Sequence, residues 1–153
     1  MQESKFDSKY MIEAIKQANI AYSLNEVPVG AVVVKDDEII GLGFNQVISN
    51  NSVIAHAEIL AIEMASATIK NYRLNNCSIY STLEPCHMCA KAIIDARIQN
   101  LYIGALEPKT GAVYSIDRLL DNPNLNHKVN HSAGYMKKMC GSLLTNFFQS
   151  KRR

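Results

Sequence analysis

The sequence predicts an α/β layered domain, with a sheet covered by helices on both faces. Strand-like and helix-like segments alternate along it, the order expected of such layers. The run PVGAVVV (28–34) is β-branched and apolar and has the character of a strand. No repeat, low-complexity tract or linker divides the 153 residues, and that length fits one domain, 1–153, with a substantial core.

Residues 7–23 set Met11, Ile15, Ala18 and Tyr22 at helical spacing, with Asp7 or Ser8 available as cap. The strand at 28–34 is followed by the turn KDDE, and IIGLGF (39–44) returns as the second arm of a hairpin. The loop NQVISNNSV leads to a helix starting near His56, whose periodic face is read as Ile59, Ile62 (or Glu63) and Ala67. CSIYST (77–82) is a short strand. A helix follows from Pro85 or Cys86 to about Ala96, since proline suits a first helical turn. NLYIGA (100–105) is the next strand and EPKTGA a loop. A short helix is expected over Ser115 to Leu120, broken by DNPN. KVNHS is a candidate last strand. A final helix, 134–150, sets Met136, Met139 or Cys140, Leu143 and Phe147 on one face.

Composition narrows the function classes. The chain is 48% hydrophobic and 20% charged, and no apolar run approaches the about 20 residues of a membrane span. The start, MQESKFDSKYM, lacks the charged-then-apolar pattern of a secretory signal, so the cytoplasm is the expected compartment. In that setting the four cysteines point to metal binding or catalysis rather than disulfides. A net charge of +2 does not announce a nucleic-acid binder, although the terminal KRR is a local basic patch.

Two short motifs carry the chemistry. AHAE (55–58) places His56 and Glu58 at one helix start, and PCHMC (85–89) places Cys86 and Cys89 at another. Cysteines at i and i+3 share a helix face, and the positive end of the helix favours thiolates. His56, Cys86 and Cys89 suit zinc, and three protein ligands leave the fourth tetrahedral position open, as in catalytic sites. Glu58 is then the general base and acid. A thioredoxin-like dithiol would not require His-x-Glu, and a c-type haem site wants histidine directly after the second cysteine, where Ala90 stands. His87 is turned away from the pair and is read as a non-ligand. Cys77 and Cys140 are read as small buried hydrophobes, and His127 and His131 as surface or packing residues.

His-x-Glu followed by Pro-Cys-x-x-Cys is the signature of zinc deaminases, in which the glutamate is not a ligand. The assignment rests on that signature rather than on spacing alone. NEVPVGAVVV, GFN, AHAEILAI, STLEPCHMCAKAIIDARI, GALEPKTGA, LNHKV and LLTNFFQSKRR fall in order along nearly the whole chain. Together they closely resemble the bacterial tRNA-specific adenosine deaminases, a family of cytidine/deoxycytidylate-deaminase-like zinc enzymes.

The resemblance implies a three-layer α/β/α cytidine-deaminase-like fold around a five-stranded mixed sheet. It also implies a homodimer that binds one zinc per subunit and acts on the anticodon stem-loop of an arginine tRNA. There it would convert the wobble adenosine to inosine and release ammonia. His56, Cys86 and Cys89 would hold zinc and Glu58 would carry the proton. Asn45 would read the base, with the Ala57 backbone N–H as a further contact. Glu107 stands where the family often has Asp, and would reach ribose or backbone; Lys109 would meet a phosphate. Phe148 would stack on an anticodon base, with Lys151, Arg152 and Arg153 on phosphates. Two other functions share the zinc core: deamination of a free base or nucleoside, and a non-catalytic zinc-stabilised RNA-binding module.

Overall fold

The structure is a computed structural model that describes residues 5–152, so Arg153 lies outside the described residues. Helix α1 (Ser8–Ser23) begins at Asp7, whose carboxylate accepts the Lys9 N–H at 3.1 Å. Strands β1 (Gly30–Lys35) and β2 (Glu38–Phe44) form the expected antiparallel hairpin. Helix α2 (Ala57–Ile69), strand β3 (Ser78–Leu83), helix α3 (His87–Asp95) and strand β4 (Asn100–Ala105) follow. A 3-10 turn, strand β5 (Asn130–Ala133) and helix α4 (Lys137–Lys151) complete the order.

The five strands lie in the order β2-β1-β3-β4-β5. β1 is antiparallel to both neighbours, whereas β3–β4 and β4–β5 are parallel, so the sheet is mixed as the resemblance implied. The alternation along β1 divides the core between its two faces. Val32 and Val34 point to α1 and α4, where Tyr10, Tyr80 and Tyr102 pack with Phe6. Ala31 and Val33 point to α2 and α3, with Ile79, Leu101 and Ile103. A strand buried on both faces needs apolar residues at consecutive positions, which is why 28–34 reads as an unbroken apolar run.

Three expectations are corrected. The buried face of α2 is Ala57, Ala61 and Ala65, while Ile59 and Ile62 are half-buried and Ala67 is exposed. The cause lies in β2. A Cβ on Gly41 would stand 2.2 Å from the Ala61 carbonyl oxygen, and one on Gly43 2.1 Å from that of Ala57. The helix sits directly on glycine backbone, so only small residues fit beneath it. The expected helix at Ser115–Leu120 is a turn-rich segment ending in a 3-10 turn at Leu119–Asp121. The last helix starts at Lys137, after Gly134 (φ 104) and Met136 (φ 54) take left-handed conformations. Its inward residues are Cys140 and Phe147, with Met139 exposed.

Candidate active site

β1 and β3 are antiparallel, so the start of β1 meets the end of β3, and the end of β2 lies beside them. The Thr82 hydroxyl accepts the Gly30 N–H at 3.0 Å and ties this edge together. From here the chain enters α2 and α3. His56 is the N-cap residue of α2 and Cys86 that of α3, both with extended backbone and neither side chain spent on capping. Cys89 lies in the first turn of α3 and is fully buried.

This brings the three predicted ligands together. The His56 Nδ1 lies 3.7 Å from the Cys86 Sγ and 3.5 Å from the Cys89 Sγ. All three donor atoms fall within 4.8 Å of one another. A tetrahedral zinc at ordinary bond lengths spaces nitrogen and sulfur ligands about 3.6 Å apart, so the donor set fits the ion in type and spacing. The hydrogen bond from Cys89 holds the Cys86 thiol down to about 3, against burial and with help from His56. The same bond and burial push Cys89 up, and the bond to Cys86 raises His56.

Glu58 sits in the first turn of α2 with 4% of its surface exposed, and burial pushes its carboxyl up to about 7. It lines a cleft of about 310 Å³ together with His56, Cys86 and Asn45. Asn45 sits at the end of β2, its N–H donated to the Val29 carbonyl at 3.1 Å. Its Oδ1 accepts the Ala57 N–H at 2.8 Å, so two expected base contacts are already bonded to each other. The Ala57 donor is thus occupied, and among the described residues no hydrogen bond uses the Asn45 amide NH2.

Other expected residues are more scattered. Glu107 lines the cleft, and its Oε1 accepts the Lys109 N–H at 3.0 Å. Lys109 is exposed on the same loop and does not line the cleft. Phe148 and Arg152 are exposed at the end of α4 and also lie outside it. Lys151 nonetheless donates to Asn25 at 3.0 Å, and the next residue, Glu26, is part of the cleft wall. His87 pairs with Asp117 at 2.9 Å and takes no place among the donors. His127 meets the Ile98 carbonyl at 2.7 Å, and His131 lies between Tyr114 and Asp121. Burial pushes the Cys77 and Cys140 thiols up to about 11, as suits inert core residues.

Two wall residues were not singled out from the sequence. Glu26, 1% exposed, accepts the Ile48 N–H at 3.1 Å and both the N–H and hydroxyl of Ser49 at 2.6 Å. Burial raises its carboxyl, but these bonds outweigh that and hold it below the usual range. Glu84, 2% exposed, similarly gathers donors from residues 107–115. Nothing local marks either glutamate, because their partners lie 22 to 31 residues away.

A His/Cys/Cys donor set at two helix starts, beside a buried carboxyl in an α/β/α sandwich, is compatible with the zinc site of a hydrolytic deaminase. The model of the cytidine and deoxycytidylate deaminase zinc-binding region matches residues 4–105. A tRNA-specific adenosine deaminase of Haemophilus influenzae is 44% identical over 150 residues, covering 97% of this chain and 87% of that protein. One from Bacillus subtilis is 39% identical over 147 residues, covering 96% and 91%. A solved structure from work on A-to-I editing by tRNA:A34 deaminases superposes with a TM-score of 0.87 at 40% identity. It covers 90% of this chain and 100% of that one. The chain belongs to the cytidine and deoxycytidylate deaminase family, on its tRNA-specific adenosine deaminase branch.

Proposed function

We propose that the protein hydrolyses the wobble adenosine of a tRNA anticodon to inosine and releases ammonia. The observation that carries this is the buried Glu58 carboxyl, sharing one cleft with His56 and Cys86 of the donor set and with Asn45. The relatives' activity on tRNA supports the substrate.

His56, Cys86 and Cys89 would hold zinc, whose Lewis acidity brings the pKa of a water towards about 7. Glu58 takes a proton from the attacking water and gives it to the adenine ring nitrogen. The water oxygen adds at C6, Glu58 takes the remaining proton from the new C6 hydroxyl and passes it to the exocyclic amine, and ammonia leaves as the C6 carbonyl forms. Adenosine and water thus become inosine and ammonia. A buried carboxyl whose charged form is disfavoured by burial can accept a proton and give it back in this way. Asn45 presents amide donors to the purine edge. A cleft near the lower end of the about 300–1,000 Å³ range suits one base turned out of its stack.

The catalytic unit is the single domain 1–153 closed by its C-terminal helix, working in the cytoplasm on an arginine tRNA. Glu107 faces the ribose or backbone. Lys109, Phe148 and Arg152 lie further out, where the rest of an anticodon loop would pass. The protein acts as a homodimer. Ile48, Val53 and Ile54, exposed on the loop between β2 and α2, offer apolar surface for the second copy to cover.

The test is to give the zinc-loaded protein an anticodon stem-loop with adenosine at the wobble position, beside free adenosine, adenine and guanine. Inosine from the stem-loop is expected. Deamination of a free base with the stem-loop untouched would overturn the proposal.

A further inference from the structure

Glu84 stands between β3 and α3, buried to 2% exposure, and the chemistry above does not use it. Among the described residues no cation pairs with it. Its Oε1 accepts the Glu107 N–H at 2.9 Å and the Ser115 hydroxyl. Its Oε2 accepts the N–H groups of Val113 at 3.1 Å, Tyr114 at 2.7 Å and Ser115 at 3.0 Å. Four backbone donors and one hydroxyl therefore converge on a single carboxylate.

Gly111 makes this possible, since a Cβ there would stand 2.3 Å from the Glu84 carboxyl carbon. The winding is closed by two backbone bonds, Glu84 N–H to the Ala105 carbonyl at 2.8 Å and Ala112 N–H to the Pro85 carbonyl at 2.9 Å. A buried carboxylate without a cation is costly unless its acceptor positions are filled. Here they are filled by one segment, 107–115, which also places Glu107 and Thr110 on the cleft wall.

We propose that Glu84 is a positioning residue for the substrate: the segment 107–115 is wound on its carboxylate, which sets Glu107 and Thr110 against the nucleotide in the cleft. Glu84 itself touches no reacting atom. The identity of that nucleotide rests on the function proposed above; the winding does not.

Glu84→Gln puts amide hydrogens among backbone donors, and Ser115→Ala removes one bond while leaving the carboxylate in place. Amide hydrogen exchange is first measured without substrate. In both variants the amides of Glu107, Val113, Tyr114 and Ser115 are expected to exchange about tenfold faster or more, with β3 and α3 unchanged. On the anticodon stem-loop, KM is expected to rise about tenfold while kcat stays within about threefold and bound zinc is unchanged. Unaltered loop exchange would overturn the winding. Faster loop exchange with an unmoved KM, or an equal loss of kcat and zinc, would overturn the positioning role. A wild-type protein inert on the stem-loop would instead sink the proposed function, leaving the exchange result to judge the winding by itself.

Discussion

Gly43→Ala tests whether α2 is held in place by the bare backbone beneath it. The added Cβ would lie 2.1 Å from the Ala57 carbonyl oxygen and 2.6 Å from the Ala61 nitrogen. Both are backbone atoms, so no side chain can swing aside. Ordinary contact needs about 3.5 Å, so the first turn of α2 must retreat by about 1 Å. Overpacking of this kind costs about 1–3 kcal/mol, which lowers Tm by roughly 2–12 °C in a chain of this size. The same retreat moves Glu58 and His56, and a misplacement of about 1 Å costs about 100-fold in turnover. Thermal melting and inosine formation are measured together. Gly141→Ala is the control: apart from its chain neighbours and its own helix backbone nothing lies within 4 Å of the added Cβ, and within α4 it should be neutral or stabilise by up to about 1 kcal/mol. If Gly43→Ala keeps the wild-type Tm and activity, the close seating of α2 does not hold the site.

Glu58→Gln keeps the shape of the carboxyl but not its proton traffic. Turnover is expected to fall by at least about 100-fold, with zinc content and circular dichroism unchanged, as ammonia release and metal analysis would show. Phe147, 5% exposed against Tyr22, and Phe148, 45% exposed, separate packing from recognition. Phe147→Ala should cost about 3–5 kcal/mol in urea denaturation. Phe148→Ala should stay within about 0.5 kcal/mol and raise KM for the stem-loop. Glu26 has its carboxyl held below the usual range, so its stabilisation is present above the unfolded pKa and is lost as pH falls through the folded one. Glu26→Gln should therefore melt below wild type at pH 7, and the gap should narrow as the pH is taken down through 4; a constant gap would contradict the assignment.

The parts of the site that speak through residue type were legible. Two cysteines three apart after a proline, and His-x-Glu at another helix start, announce a donor set because few side chains bind zinc. The β-branched run of β1 announces a strand for an equally local reason. What stayed hidden depends on contacts across the chain. Periodicity favours Ile59 and Ile62 as the core face of α2, yet Gly41 and Gly43 leave room only for Ala57, Ala61 and Ala65. Residues 115–120 look helical in isolation, but bonds from Tyr114 and Ser115 to Glu84 draw the segment around a distant carboxylate. For Glu26 and Glu84, nothing nearby signals that an ordinary glutamate is buried.

The order of the elements along the chain separates the groups of the donor set from the segments that surround them. Every group that would hold the metal or move the proton lies between Asn45 and Cys89, within the stretch that the family model spans, 4–105. The wound segment 107–115 and α4 come after it, and α4 packs on the α1 face of the sheet, across from the metal-bearing helices. A substitution in the last third of the chain can therefore reshape one wall of the cleft, or the far face of the sheet, without changing any residue of the donor set.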